Sequence, residues 1–197
     1  MSKFFIFFFL LYDLFNRIFY RYIVKPTYII KLLIIGDREV GRRTFLRDSR
    51  DHFFNKGCID IIGVELYRKE LTVEENVIDF MIWAVSNDDR FRRDLRTFIS
   101  GSNAAILMFD ITRVGSYNFL SDFPGLIRQY AGDIPILLVG NKKDLEEVRE
   151  VSGEGARAFA GHNNLLGYLE ISAKNGQNCE GIFTMLGEKI LRQLQLH

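Results

Sequence analysis

The chain has 197 residues, of which 48% are hydrophobic and 14% aromatic, so it is long enough for one well-buried domain and too short for two. Its 26 Lys and Arg residues nearly balance its 25 Asp and Glu residues, so nucleic acid is not an expected partner. Cys58 and Cys179 are far apart and have no partner at metal-ligand spacing, which argues against a disulfide framework and a zinc site and fits a reducing, cytosolic environment.

The N-terminal segment, residues 1–27, has a composition of its own. Residues 3–25 are mainly aromatic and aliphatic, with a polar residue at every fourth position in the second half. These polar residues are Asp13, Arg17, Arg21 and Lys25. A helix here would carry one narrow polar stripe, and its central charges favour a helix lying in the membrane interface over one that spans the bilayer. A helix packed on the protein's own surface and a wrongly assigned start are the alternatives.

From residue 28 onward, short apolar runs alternate with segments of helical period. Strands are predicted at 29–35, 64–72, 77–85, 104–110, 134–140 and 168–172, and helices at about 41–54, 90–100, 116–131, 152–161 and 179–195. Several strands are apolar on both faces, which is typical of a parallel sheet covered by helices on both sides. Residues 74–76 predict a hairpin. We therefore predict an α/β, doubly wound domain over residues 28–197, with a mainly parallel six-stranded sheet and one antiparallel strand.

The loop after the first strand has the form G-x-x-x-x-G, from Gly36 to Gly41, and such loops bind phosphate groups through backbone N–H groups. Lys and then Ser or Thr should follow, but this chain has Arg42 and Arg43. Arg42 keeps the positive charge. Arg43 could pair with a phosphate in place of a metal ion, or point to solvent. The candidate phosphate-binding residues are Gly36, Arg38, Glu39, Val40, Gly41, Arg42, Arg43 and Thr44.

A second polar motif, Asn141-Lys142-Lys143-Asp144, follows the apolar strand ILLVG. A fixed carboxylate at Asp144 can accept hydrogen bonds from both the ring N1 proton and the exocyclic amine of guanine, a pair that adenine lacks. We expect Asn141 to brace neighbouring loops and the aliphatic stem of Lys142 to lie along the base. The alternative is a solvated polar turn.

A third motif, Ile171-Ser172-Ala173-Lys174, follows the last predicted strand. With the loop at 36, GVEL, ILMFDIT and NKKD in this order, the chain resembles the Ras-like small GTPases, particularly the Rab and Ras branches, over residues 28–194. The resemblance implies the P-loop GTPase fold, GTP or GDP as ligand, and effector or regulatory proteins as partners. It also implies that Ala173 donates its N–H to the guanine oxygen and that Lys174 packs near the base. The candidate guanine-binding residues are then Asn141, Lys142, Asp144, Ser172, Ala173 and Lys174.

Departures from the family pattern concentrate where the family binds metal and performs hydrolysis. The three positions that hold magnesium in the family are Arg43, Ile61 and Ala84 here, and none supplies an oxygen ligand. Asp88 stands where the family has the Gln that positions the attacking water, and Asn87 replaces a Gly that senses the third phosphate. We therefore expect no catalytic residue, no metal ligand, and weak or no hydrolysis.

Three residues of the phosphate loop region bear further on binding. Arg38 is bulky at a position that is usually small in the family, and Glu39 brings a negative charge close to the expected phosphates. Thr44 could supply a hydroxyl only if the loop were shifted by one residue. The sequence thus predicts a guanine-nucleotide-binding module at the cytoplasmic face of a membrane. An active GTPase with a non-standard metal site and a nucleotide-free scaffold are the alternatives.

Overall fold

The computed structural model describes residues 27–47, 59–61, 64–85 and 95–195. The N-terminal helix predicted at residues 3–25 lies outside the described residues. Among the helices of the described ranges, none is both long and apolar enough to cross a membrane.

A seven-stranded sheet forms the centre of the protein, in the order β2-β3-β4-β1-β5-β6-β7. The strands are β1 Thr27–Gly36, β2 Ile59–Ile61, β3 Val64–Val73, β4 Asn76–Val85, β5 Ala104–Asp110, β6 Ile136–Asn141 and β7 Gly167–Glu170. All six predicted strands are present, and the short β2 adds a seventh. Strand β3 runs antiparallel to both of its neighbours, and the other four strand pairs are parallel. The prediction of a mainly parallel sheet with one antiparallel strand is confirmed.

The hairpin predicted at residues 74–76 joins β3 to β4. Val73 pairs with Asn76 across the turn, and Glu74 has a positive φ of 55°. The two strands remain in register along their whole length, up to the pair formed by Val64 and Val85. This long antiparallel pairing fixes which residue of β3 lies beside each residue of β4 at the functional edge of the sheet.

Helices cover both faces of the sheet. They are α1 Arg42–Arg47, α2 Leu95–Ile99, α3 Val114–Asn118, α4 Phe123–Ala131, α5 Gly153–His162 and α6 Cys179–Gln195, with a 3-10 helix at Lys143–Val148. Alternate residues of a strand point to opposite faces. Leu32 and Ile34 therefore pack under α1 and α6, where Phe45 and Phe183 stack with centroids 5.6 Å apart. Leu33 and the other odd-numbered residues of β1 that are buried pack under the helices α2, α4 and α5.

The single helix predicted at 116–131 is wrong, because this segment forms two helices, α3 and α4. Pro124 stands in the first turn of α4, where its missing N–H costs nothing and its fixed φ favours the start of a helix. The same ring would have broken a continuous helix.

Parallel strands place the candidate site residues at one edge of the sheet. Strands β1, β5, β6 and β7 all run in the same direction, so their carboxyl ends lie side by side. Asp110 and Asn141 are register partners in β5 and β6, and Gly140 pairs with Glu170 of β7. The loops that follow these strands therefore meet around one cleft, as expected for a doubly wound sheet.

Candidate functional site

The predicted phosphate loop turns sharply between β1 and α1. Gly36, the last residue of β1, is buried, and a Cβ there would lie 2.5 Å from the carbonyl oxygen of Met108. Glu39 and Gly41 both have positive φ values, 61° and 91°. The N–H of Phe45 then donates to the carbonyl of Gly41 at 2.9 Å, which begins the hydrogen bonding of α1. The loop is therefore tightly held against the sheet.

Asn141 joins the phosphate loop to the loop after β7. Its amide nitrogen donates to the carbonyl oxygen of Val40 at 2.8 Å, and its amide oxygen accepts from the N–H of Ala173 at 2.9 Å. Asn141 is 1% exposed, so these contacts satisfy a buried amide that would otherwise be costly. Gly41 makes the approach feasible, because a Cβ there would lie 2.3 Å from the Asn141 amide nitrogen.

The N–H of Ala173 donates to a partner within the protein, and its expected contact with a guanine oxygen stays a prediction. The family resemblance assigns this N–H to a guanine oxygen, whereas in the structure it donates to Asn141. A bound base would have to share or replace this hydrogen bond.

Asp144 is held in a fixed orientation beside these loops. Its Oδ1 accepts from the Ser172 hydroxyl at 2.6 Å, and its Oδ2 lies 3.9 Å from the ammonium group of Lys174. The Ser172 hydroxyl also accepts from the N–H of Asn175 at 3.2 Å. A carboxylate with one oxygen anchored in this way presents its remaining lone pairs in a defined direction.

Glu170 fixes the segment that carries Asp144. Its carboxylate accepts from Lys143 at 3.0 Å, from Arg149 at 2.8 and 3.1 Å, and from the Tyr168 hydroxyl at 2.7 Å. Burial alone would raise the pKa of Glu170, but these hydrogen bonds outweigh it and lower the pKa to about 2. The 3-10 helix is thereby tied to β7 by a carboxylate that stays charged.

Lys142 has its ammonium group on the protein itself. The residue adopts a left-handed conformation, with φ 69°, and its Nζ lies 2.6 Å from the Asp110 carboxylate. Burial would raise the pKa of Asp110, but the hydrogen bonds from Lys142 and Thr112 outweigh it, and the pKa falls below its ordinary value. Lys142 lines the cleft, and the expected contact of its stem with a base stays a prediction.

The two arginines of the phosphate loop region are both engaged. The guanidinium of Arg42 donates to the carbonyl oxygen of Asp37 at 3.0 Å, and burial lowers its pKa to about 10 despite the nearby carboxylates of Glu65 and Asp37. Arg43 pairs through its Nε with Glu65, although its side chain remains 67% exposed. From the sequence, Arg43 was predicted either to pair with a phosphate or to point to solvent. Neither prediction included a carboxylate partner.

Glu65 was missed by sequence reasoning. It lies in β3, it is 8% exposed, and its second oxygen accepts from the Tyr67 hydroxyl. Its register partner across the hairpin is Ala84, the position where the family has a metal-associated Asp. An alignment of β3 with β4 from the predicted hairpin at Glu74 would have identified this pairing.

Arg113 was also missed, and it contacts the phosphate loop from the side of β5. Its guanidinium donates to the backbone carbonyl of Arg38 and to the Asp37 carboxylate at 3.1 Å, and it lies 3.9 Å from the carboxylate of Glu39. In the sequence, Arg113 is only a single basic residue after the FDIT segment. Such a residue predicts no particular contact unless the fold is known. Arg113 restrains a loop that contains a non-glycine residue at positive φ.

Together these elements surround a cleft of about 720 Å³. It is lined by residues 38–44 of the loop and helix α1, together with Glu65, Ala84 and Lys142. The predicted guanine-binding residues lie next to it, linked through Asn141. Of the predicted positions, Asp88 lies outside the described residues, and only the backbone of Ile61, in β2, is described.

Comparison with protein families identifies the family of the chain. The sequence model of the Ras family matches residues 31–192, which is most of the chain. The chain belongs to the Ras family. It is therefore a homologue of the GTP-binding small GTPases, and guanine nucleotides are the ligands that this family binds.

Magnesium, which typically accompanies the nucleotide in this family, does not fit the residues of this cleft. The ion requires oxygen ligands in near-octahedral geometry. Arg43 and Ala84 supply none, and the carboxylate beside them, Glu65, is already paired with the guanidinium of Arg43. The described residues also contain no group of three or more His, Cys, Asp or Glu side chains that could hold a metal ion.

The contact between Gly41 and Asn141 can be tested by Gly41→Ala. The new methyl group would displace the Asn141 amide and remove its hydrogen bond to Val40, in addition to straining a residue with φ 91°. We expect a loss of about 2 to 4 kcal/mol in the free energy of unfolding, measured by urea denaturation.

Gly101→Ala is the matched control, because Gly101 also has a positive φ, of 71°, but a Cβ there meets nothing within 4 Å. This variant should lose only the roughly 1 kcal/mol of backbone strain. Equal losses in the two variants would show that the contact with Asn141 has no energetic importance.

Proposed function

We propose that this protein is a guanine-nucleotide-binding module of the Ras family in which protein side chains, and not a magnesium ion, occupy the end of the phosphate site. It hydrolyses GTP weakly or not at all. The observation that carries the proposal is the network through Asn141, which ties the phosphate loop to the loop of Ser172 and Ala173 beside Asp144. That network supports a formed nucleotide site and argues against an empty scaffold.

Base recognition is proposed for Asp144. The hydrogen bond from Ser172 fixes the carboxylate, and its side chain is 11% exposed, so a base that docks there would meet a partly desolvated acceptor. Such an acceptor discriminates strongly, because a base without matching donors leaves it unpaired. Guanine offers two donors on one edge and adenine does not.

Phosphate binding is proposed for the loop and for Arg42 and Arg43. The side chain of Arg43 is 67% exposed and lines the cleft, so a ligand phosphate in the cleft can contact its guanidinium. Arg42 lies deeper and supports the loop through the carbonyl of Asp37. The fixed charge of these arginines takes over part of the neutralisation that a metal ion supplies elsewhere in the family.

Weak hydrolysis follows from the same residues. Phosphoryl transfer depends on charge neutralisation and on a positioned water molecule, and a metal ion supplies much of the first. Ala84 and Arg43 do not hold the ion, and Asp88 replaces the residue expected to position the water. An active GTPase with a non-standard metal site is thus disfavoured by the arginine that lines the phosphate end of the cleft.

Membrane association is proposed for residues 3–25, which would place the protein at the cytoplasmic face of a membrane. The support is the sequence alone: a narrow polar stripe on an otherwise apolar segment. Effector or regulatory proteins remain the proposed partners, because they are the usual partners of the family.

For the base site, we expect Asp144→Asn to weaken GDP binding by at least about tenfold, because an amide cannot accept from both guanine donors. The variant should also bind xanthosine diphosphate more tightly than the wild type does, since the amide can donate to the additional carbonyl of xanthine. Competition titrations with the two nucleotides measure both effects. Asp133→Asn, at an exposed position, is the control and should change neither affinity. Unchanged base selectivity in Asp144→Asn would show that the motif at 141–144 is only a surface turn.

For the phosphate site, we expect binding and hydrolysis to be independent of magnesium. Adding EDTA should change GDP affinity by less than about threefold, and single-turnover GTP hydrolysis should be no faster than in free solution. Arg43→Ala should weaken GDP binding by roughly 1.5 to 3 kcal/mol, the scale of a charged hydrogen bond. Arg96→Ala, an exposed arginine of α2, is the control. A large loss of affinity in EDTA, or a magnesium-dependent hydrolysis rate, would contradict the proposal.

For the membrane segment, the full chain should sediment with vesicles that contain anionic lipid. Phe19→Asp would place a charge opposite the polar stripe of the proposed helix and should reduce this binding at least about fivefold. Asn16→Asp adds the same charge beside the stripe and should have a much smaller effect. If both variants sediment like the wild type, residues 3–25 do not form the membrane contact.

A further inference from the structure

Glu65, the glutamate of the GVEL stretch, places a buried carboxylate at the cleft. Glu65 lines the cleft together with Arg43 and Ala84. One of its oxygens accepts from Arg43 and the other from Tyr67, which is itself 5% exposed. Because both oxygens are anchored, the negative charge cannot turn away from the cleft without breaking two hydrogen bonds.

The order of the strands shows at which end of the cleft this charge lies. The proposed base site follows β6 and β7, the phosphate loop follows β1, and Glu65 belongs to β3, in the order β3-β4-β1-β5-β6-β7. Neighbouring strands are about 4.8 Å apart, so β3 lies roughly 10 Å beyond β1 on the side away from the base site. A phosphate chain that starts at the base and passes the loop therefore extends toward Glu65. Each additional phosphate brings negative charge closer to this carboxylate.

We propose that Glu65 restricts the site to nucleoside diphosphates, by repelling the third phosphate of GTP. The proposal rests on the proposed function, since it specifies which guanine nucleotide the same site prefers. Ala84 lies opposite Glu65 and is too small to shield it from the cleft. The charge of Glu65 therefore acts directly on whatever occupies the far end of the site.

Arg43 cannot relieve this repulsion without a cost elsewhere. It forms an ion pair with Glu65, and turning it fully to a third phosphate would break the ion pair of a carboxylate that is only 11% exposed in its side chain. Arg42 lies deeper, with its guanidinium on the Asp37 carbonyl. At an effective dielectric constant of about 20, two like charges roughly 6 Å apart lower an affinity about 100-fold, and partial neutralisation by Arg43 leaves an effect of about tenfold.

The experiment compares GMP, GDP and GTP binding to the full chain by calorimetric titration, in magnesium and in EDTA. The wild type should bind GDP about tenfold or more tightly than GTP under both conditions. Glu65→Gln keeps the size of the side chain and an oxygen that accepts hydrogen bonds, but it removes the charge. We expect this variant to bring the two affinities within about threefold of each other, by raising the affinity for GTP.

Glu70→Gln is the matched control, because it removes the same charge from the same strand. Glu70 lies on the opposite face of β3, has a side chain 52% exposed, and pairs with Arg68 at 2.7 Å outside the cleft. This variant should keep the GDP preference of the wild type.

Different results separate this inference from the proposed function. If no guanine nucleotide binds at all, the proposed function fails and the inference fails with it. If the wild type binds GTP as tightly as GDP, or if Glu65→Gln keeps the full preference for GDP, the nucleotide site stands and the role of Glu65 is overturned. The ratio of GDP affinity to GTP affinity is measured on the wild type itself, so it tests the inference even if Glu65→Gln does not fold.

Discussion

One buried amide, that of Asn141, determines the geometry of the candidate site. It stands at the end of β6, where the buried strand fixes its backbone, and its two polar atoms bond to backbone groups of two other loops. Removing either partner would leave an unpaired polar atom in a site that is 1% exposed, so the three loops hold one another in place. The left-handed Lys142 then turns the chain so that Asp144 reaches Ser172. The phosphate side and the base side of the cleft are therefore parts of one network.

The charges around this network are internally paired. Lys142 contacts Asp110, Arg43 contacts Glu65, and Arg113 contacts Asp37. A nucleotide that enters the cleft must exchange or share these partners, whereas a metal ion brought in with the nucleotide would add two new positive charges. Each of these charged side chains loses a protein partner when it turns to the nucleotide, and the cost of that loss opposes binding. We therefore infer that nucleotide affinity in this cleft is lower than in a site completed by a metal ion.

Most strands and motifs could be predicted from local sequence, whereas contacts between distant segments could not. The strands could be located because apolar runs such as that of β6 are continuous, and the motifs at 141–144 and 171–174 could be placed because each directly follows a strand. The break between α3 and α4 was missed, although Pro124 is a signal for a helix start. The pairing of Glu65 with Ala84 could have been aligned from the predicted hairpin, but the contact between Glu65 and Arg43 could not, because it depends on the turn that brings Arg43 toward β3. Three residues of β2 carry too little pattern to be recognised.

The ion pair between Arg43 and Glu65 also bears on whether the protein can act as a switch. In the family that this chain resembles, the metal ion links the helix after the phosphate loop to the first switch, so that link exists only when nucleotide and metal are present. Here the corresponding helix, α1, is linked to β3 by two side chains of the chain itself. Both partners of this link are side chains of the protein, so the link requires no metal ion. A ligand can change an equilibrium between two shapes only as far as it binds one of them better. Under the proposed function, an ion pair between α1 and β3 that the protein itself supplies is compatible with a constitutive binding module.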